Sequence, residues 1–465
     1  MHNRIAWLMS LILFIAGCTA LGPNYQRPQI DLPKTWGDES AASPTRAIGD
    51  WEIFNDPQLL KLIAEAYQYN ANIALAAARL DEARALLGIA DADRYPALWA
   101  RMDRSRARES QVASMRLPPD TTVVSNNTRL TLNASYELDL WGKYQRASEA
   151  ARAELLATEA ARDTVRLTLA TQVAQSYFSL LALDAQADAT RRTVAARQET
   201  QRLQQLRFDA GVISEYGLRQ IEGELAAALA QLPNLERQRA QQENALAALL
   251  GRSPREIVAA RVESGATTTP NEVIVPAGLP SDLLLRRPDL REAEQRLIAA
   301  NARIGVTRAG YFPSISLTGY LGTESSALRD LFSGPAGIFQ FAAGLLQPLF
   351  QGDRVDYLVD AANARQQQAL AQYRQAVSNA FRDVQDALIG QQKSLQVLTA
   401  ERARIAALEQ ARKLAKLRYD NGITSLLEVL DAERNLLQAQ LNYSEAERAQ
   451  RAAVADLFKA LGGGF

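Results

Sequence analysis

This chain has almost none of the side chains that do most protein chemistry near neutral pH. Its 465 residues include one histidine, His2, and one cysteine, Cys18. Imidazole acid–base catalysis, Cys/His metal sites and disulfides are nearly excluded by that inventory. An excess of one charge is lacking too: 52 Lys+Arg balance 52 Asp+Glu, so no basic field points to nucleic acid. The third shortage is of helix breakers. Lys143 to Ala210 contains neither glycine nor proline, and Asp353 to Asn421 contains no proline and one glycine, Gly390. A helix of that length would reach roughly 100 Å at about 1.5 Å per residue. A single globular core does not need such rods; they span a distance or build a tube.

What fills these stretches is a coiled-coil pattern. Val377, Phe381, Val384, Leu388, Leu395, Leu398 and Ile405 recur at alternating spacings, with Gln391 and Arg402 in the two skipped positions. A period of about 3.5 is the seam of a left-handed coiled coil. Asn421-Gly422 then breaks the helix. Ser425 and Glu428 have the spacing of a capping box, an N-cap oxygen with a glutamate at N3. A second breaker-free helix runs to Leu461 and stops at Gly462-Gly463-Gly464. The stretch reads as a long helical hairpin with a tight tip at residues 419–425.

The start of the chain accounts for the single thiol. Arg4 supplies a short positive segment, and Ile5 to Ala16 is an apolar run too short to span a bilayer. It ends in Ile15-Ala16-Gly17-Cys18, which resembles a bacterial lipobox. Residues 1–17 are therefore expected to be a signal peptide, with Cys18 lipidated. Thr19, rather than aspartate, implies the outer membrane. Acyl chains anchor through about 0.8 kcal/mol per buried methylene. Residues 18–56, with Pro23, Pro28 and Pro33 at regular intervals, are expected to form an extended arm.

From residue 57 one order of elements is read twice. The first repeat, 57–250, opens with Asp56-Pro57 as N-cap and N1, and its helix runs to Arg94 before Tyr95-Pro96 ends it. Strands are expected at about 96–106 and 128–140. In the second, Leu130, Leu132, Ala134, Tyr136 and Leu138 alternate with Arg129, Thr131, Asn133, Ser135, Glu137 and Asp139. A long helix at 143–210, a break at Gly211 and a return helix kinked at Pro233 complete this half. A connector at 251–280 holds a short strand candidate, Val273 to Val275. The second repeat, 281–465, has a helix ending at Phe312-Pro313 and strands at about 313–322 and 338–348. Its long helix covers 353–421 and its return helix reaches 461. Arg79, Leu80, Gly88 and Pro96 match Arg296, Leu297, Gly305 and Pro313; Arg207-Phe208-Asp209-Ala210-Gly211 matches Arg418-Tyr419-Asp420-Asn421-Gly422.

The expected fold class is thus mainly α with a small β part: long antiparallel coiled-coil hairpins in an internal two-fold repeat. Strands of about ten residues suit a tilted bilayer crossing. Four of them cannot close a barrel, and open edges are not tolerated in lipid, so a membrane-crossing form must oligomerise. Two copies give eight strands, which side chains fill; three give twelve, which can leave a lumen.

Four stretches carry a resemblance: Gly22-Pro23-Asn24-Tyr25; Trp51 through Asn70; Leu279 through Gly305, continuing into Phe312-Pro313-Ser314-Ile315-Ser316-Leu317; and Arg418-Tyr419-x-x-Gly422. Together they resemble the TolC-type outer-membrane channels, in the lipoprotein branch serving resistance-nodulation-division efflux pumps. The resemblance spans the chain. It implies a homotrimer with a twelve-stranded barrel in the outer membrane of a Gram-negative bacterium, a helical tunnel into the periplasm, and an equatorial region. The implied partners are membrane lipid, a periplasmic adaptor and an inner-membrane proton-driven pump. The implied role is a passive exit duct for drugs or other small molecules, not an enzyme, with no cofactor, metal or nucleic acid. By the same resemblance, Tyr419, Glu428 and Asp431 would ring the periplasmic aperture, and the tips at Arg207, Gly211, Arg418 and Gly422 would meet the adaptor. Glu428 replaces an aspartate often seen there. Gly217 departs from the acid that some members carry at the matching first-half position, and Glu215 is nearby but out of register.

Two further readings compete: a poreless periplasmic coiled-coil lipoprotein with soluble strands, and a periplasmic hydrolase. The alternation at 129–139 discriminates the first from a barrel. The second would need carboxylates or a Ser–Lys pair in a cleft, and no such constellation is found.

Overall fold

The computed structural model describes residues 20–33, 51–112, 122–259 and 286–463. Cys18, the signal peptide and the strand candidate at Val273 to Val275 lie outside the described residues. The helices and strands in chain order are α1 (Pro57–Tyr69), α2 (Ala71–Ala92), β1 (Ala97–Arg108), β2 (Val124–Glu137), α3 (Lys143–Asp209), α4 (Glu215–Leu249), α5 (Pro254–Ala259), α6 (Pro288–Arg308), β3 (Ser314–Ser325), β4 (Gly337–Leu346), α7 (Arg354–Asp420) and α8 (Leu426–Ala460). The repeat is quantitative: α3 and α7 are both 67 residues long, and α4 and α8 are both 35. No helix among the described residues is long and apolar enough to cross a membrane. The chain divides into two units, each drawing segments from both repeats.

The first unit holds the sheet and the start of the arm. The four strands pair antiparallel in the order β1-β2-β3-β4. Because side chains alternate along a strand, the register sorts the residues onto two faces. Leu98, Ala100 and Met102 lie opposite Ala134, Leu132 and Leu130, which lie opposite Gly319, Leu321 and Thr323. Phe341 and Phe339 continue the rows beside Gly319 and Leu321. The other face carries Arg101, Thr131, Asn133, Ser135, Thr318, Tyr320 and Gln340. The apolar face is not covered by the described residues: Leu98 is 68% exposed, Phe339 76% and Phe341 78%.

In the same unit the arm is held by one buried arginine. Arg146, on the first turn of α3, donates to the Leu21 carbonyl (3.0 Å) and to Asn24 Oδ1 (2.7 Å). Asn301 on α6 donates to the Pro23 carbonyl (2.7 Å), while Tyr25 and Arg27 both donate to Glu294 of α6 (2.9 Å; 2.7 and 2.6 Å). The arm crosses α6 at two glycines: a Cβ on Gly305 would lie 2.4 Å from the Leu21 carbonyl oxygen. Gly22-Pro23-Asn24-Tyr25 and the α6 residues 294–305 are thus two halves of one lock.

The second unit contains the main core. A 3-10 turn, Trp51–Phe54, ends the segment expected to be extended, and its rings are buried: Trp51 packs on Phe458 (4.9 Å between centroids) and Phe54 on Phe178 (5.0 Å). Leu59, Leu62, Ile63 and Ala66 of α1 fill the same cluster with Val173, Tyr177, Leu246 and Leu250. Asp56 caps α1 as its sequence implies, accepting from the amides of Gln58 and Leu59 (2.9 and 3.1 Å). The helix expected to run unbroken to Arg94 instead stops at Asn70. Asn70 adopts extended backbone, its Oδ1 accepts from the Asn72 amide (2.8 Å), and its Nδ2 donates to the Leu249 carbonyl (2.8 Å). A short amide side chain offers the backbone a competing cap, which ends one helix and starts the next. The second repeat builds the same junction with a different residue: buried Arg287 donates to the Ala460 carbonyl (3.0 Å) and to Asp289 and Asp383. Pro233 lies inside α4, whose helical span is unbroken.

The arm lock generates a test. Gly305→Ala puts a methyl group against backbone that cannot retreat without moving the arm. It should raise amide exchange across residues 20–27 and cost about 1–3 kcal/mol of stability. Exchange and thermal midpoint equal to the parent would show that the arm is not held there.

Candidate functional site

The hairpin tips are built by one device used twice. α3 ends at Asp209 and α7 at Asp420, each followed by a glycine in the left-handed region, Gly211 (φ 72°) and Gly422 (φ 71°). The Val212 amide donates back to the Arg207 carbonyl (2.8 Å), and the Ile423 amide to the Arg418 carbonyl (2.9 Å). This pattern closes a helix C-terminus by pairing its orphan carbonyls, and it needs φ > 0 at the glycine. Below the turns, Leu218, Ile221 and Leu430 form a small buried cluster with Phe208, Ile213 and Leu426 against it.

Of the residues singled out in the sequence, Tyr419 is the most tightly placed. Its hydroxyl accepts from Gln204 Nε2 (2.9 Å) and Arg207 Nη1 (2.7 Å), and the Arg207 guanidinium lies 5.6 Å from its ring centroid. Tyr419 therefore ties the second hairpin to the first, and Arg207 is its partner rather than a free tip cation. The capping box expected at Ser425 is absent: the Ser425 side chain makes no capping bond, and the Glu428 carboxylate faces the Arg418 guanidinium at 3.7 Å. A charged partner outcompetes the backbone amide for that carboxylate. The capping box instead forms at Ser253 and Glu256, at the start of α5. Asp431 contacts Arg434 and accepts from Asn435 Nδ2 (3.1 Å). Both acids are about half exposed, so the structure brings Tyr419 and Arg207 together and leaves Glu428 and Asp431 on the surface beside basic partners. A Cβ at Gly217 would meet open space.

Sequence reasoning missed the charged layer above the tips. Arg197 is 3% exposed, and its guanidinium pairs with Glu224 (3.0 Å), which lies 3.8 Å from Arg434. Nearby, burial pushes the Glu433 carboxyl above its usual range, against the pull of Arg197, Arg412 and Lys416 and with a push from Glu224. A signal was available: Thr190, Val194, Arg197 and Gln204 of α3 are all buried at coiled-coil spacing, so three polar side chains sit on the buried stripe beside one valine. A carboxyl whose pKa rises on folding holds its proton more tightly in the folded state. Its contribution is present at acid pH and is lost as pH rises through the raised value. Glu433→Gln should therefore melt above the parent at neutral pH, and the difference should shrink on acidification. A Glu433→Gln protein that melts below the parent at neutral pH would show that the cations, not burial, set this site.

Comparison with known proteins fits this geometry. A family model described as "Outer membrane efflux protein" matches residues 62–252 and 279–463, one span in each repeat. The cation efflux system protein CusC of Escherichia coli O6:H1 is 36% identical over 458 residues, covering 97% of each chain. The probable outer membrane lipoprotein SilC of Salmonella typhimurium is 34% identical over 463 residues, covering 98% of each. The crystal structure of the Campylobacter jejuni CmeC outer membrane channel matches with a TM-score of 0.90 at 26% identity, over 96% of this chain and 95% of that one. This chain belongs to the outer membrane efflux protein family and is an outer-membrane efflux channel.

Proposed function

We propose that three copies of this chain close a twelve-stranded barrel and form the passive exit duct of a tripartite pump. In this reading an inner-membrane pump of the resistance-nodulation-division type delivers drugs or other small molecules through a periplasmic adaptor. The observation that carries the proposal is the sheet: its apolar face is bare, and β1 and β4 end it with no further strand beyond them among the described residues. Open strand edges and a bare apolar face are tolerated together only where lipid covers the face and another strand covers each edge. Three copies supply a lumen that two do not.

Two finer assignments follow from the same reading. The adaptor meets the tips, where Val212 and Tyr216 are 71% and 72% exposed, and Ile423 and Leu427 are 69% and 55% exposed at the matching positions of the second repeat. Exposed apolar side chains at equivalent turns suit a partner that docks the same way on both hairpins. The aperture lies at Tyr419, Glu428 and Asp431, held shut by the Arg207–Tyr419–Gln204 tie. Lipid at Cys18 agrees with the description of the Salmonella relative as an outer membrane lipoprotein.

Single-channel recording of the purified full-length protein in planar bilayers tests both duct and gate. The parent should conduct weakly. Arg207→Ala with Tyr419→Phe, which removes the tie, should raise conductance several-fold. Glu428→Ala with Asp431→Ala should weaken block by divalent cations added on the periplasmic side, because crowded carboxylates attract cations. No conductance from any of these proteins would overturn the duct. Conductance and block unchanged in the variants would remove these residues from the aperture.

A further inference from the structure

The sheet carries an arginine row that neither the barrel closure nor the aperture uses. Along one face of β1, Leu98, Ala100 and Met102 are followed by Arg104, Arg106 and Arg108, all exposed. The register shows where the change falls. Met102, Leu130, Thr323 and Gly337 form the last row before the arginines; the next is Arg104, Thr128 and Ser325. Arg106 and Arg108 then stand opposite Asn126 and Val124. The acids of the sheet are on the other face, each with a basic partner: Asp103 with Arg101 (2.7 Å), Glu137 with Lys143 (3.1 Å) and Glu324 with Arg129 (3.9 Å). Among the described residues no carboxylate of the four strands shares the face of Arg104, Arg106 and Arg108, and none of the three forms an ion pair.

An arginine on the lipid face costs most at the bilayer midplane and little at the headgroups. Three in succession on that face therefore mark the headgroup level. Chain direction identifies the leaflet. The helices join the sheet at the end of Ala97, Glu137, Ser314 and Leu346, and Arg108 lies at the opposite end. With the helices in the periplasm, the arginines face the outer leaflet, which in such a membrane is built of phosphorylated glycolipid. Guanidinium groups bind phosphate with paired, charge-assisted hydrogen bonds. Arg104 and Arg108 are about 13 Å apart along the strand at about 3.3 Å per residue, a span that suits a disaccharide headgroup phosphorylated at both ends.

We propose that Arg104, Arg106 and Arg108 form a binding site for the phosphates of an outer-leaflet glycolipid, one per chain. The site rests on the barrel reading above. Native mass spectrometry of the full-length, detergent-solubilised protein, titrated with diphosphoryl lipid A, phosphatidylglycerol or phosphatidylethanolamine, tests it. The parent should take up diphosphoryl lipid A in preference to both phospholipids. Arg104→Gln with Arg106→Gln and Arg108→Gln should weaken that binding on the order of a hundredfold, and Arg106→Gln alone roughly fivefold, from the usual worth of a basic side chain at an anionic lipid surface. Arg129→Gln, on the polar face, should bind as the parent does. Parent-like binding by the triple variant overturns the site, and a preference for phosphatidylglycerol overturns the outer-leaflet assignment. Conductance of the same samples reports the barrel separately: a triple variant that conducts normally and still binds lipid sinks the site alone, whereas a parent that does not conduct sinks the barrel reading.

Discussion

Pairing of backbone hydrogen-bonding groups in lipid is the constraint on which the rest of this structure depends. A buried N–H or C=O without a partner costs several kcal/mol in hydrocarbon. The four strands pair with one another and, among the described residues, leave one side of β1 and one side of β4 open. β1 comes from the first repeat and β4 from the second. A neighbouring copy that sets its β4 beside this β1 therefore continues the antiparallel alternation without a break. The internal repeat thus supplies an even number of strands that enter and leave the membrane on the same side. Oligomerisation is then a consequence of backbone chemistry, not an addition to it.

In the second unit, the same accounting is met by buried polar side chains that close helix junctions. Asn70 and Arg287 stand at matching places in the two repeats and donate to matching carbonyls, Leu249 and Ala460. One is a neutral amide. The other is a cation that brings Asp289 and Asp383 with it to balance its charge. The two halves have kept the bond and changed the chemistry. Arg146 does comparable work for the arm, where its guanidinium satisfies carbonyls that no regular element pairs. A buried arginine of this kind is strongly destabilising to remove, because the groups it satisfies are left unpaired.

Much of this was legible in the sequence because long-period signals are robust. Freedom from breakers located the long helices, period two located the strands, and matched glycines exposed the repeat. The second capping prediction failed for a local reason: Ser425 and Glu428 have the right spacing, but Arg418 sits across the tip and draws the carboxylate away. Asn70 was missed because an asparagine within a helical pattern carries no signal until its tertiary acceptor, Leu249, is known. The tip residues were legible in position but not in partnership. Tyr419 could be placed at a tip from its motif. That its hydroxyl is held by Gln204 and Arg207 of the other hairpin depends on a sequence separation of 215 and 212 residues, which no local pattern encodes.

The central claim is that the open edges of β1 and β4 are paired between copies. Hydrogen–deuterium exchange of the full-length protein in detergent, followed residue by residue over β1 and β4, tests it most directly. The account predicts that the outward-facing amides of both strands exchange as slowly as those of the central strands β2 and β3. Fast exchange at alternate residues along β1 and β4, with β2 and β3 protected, would contradict it.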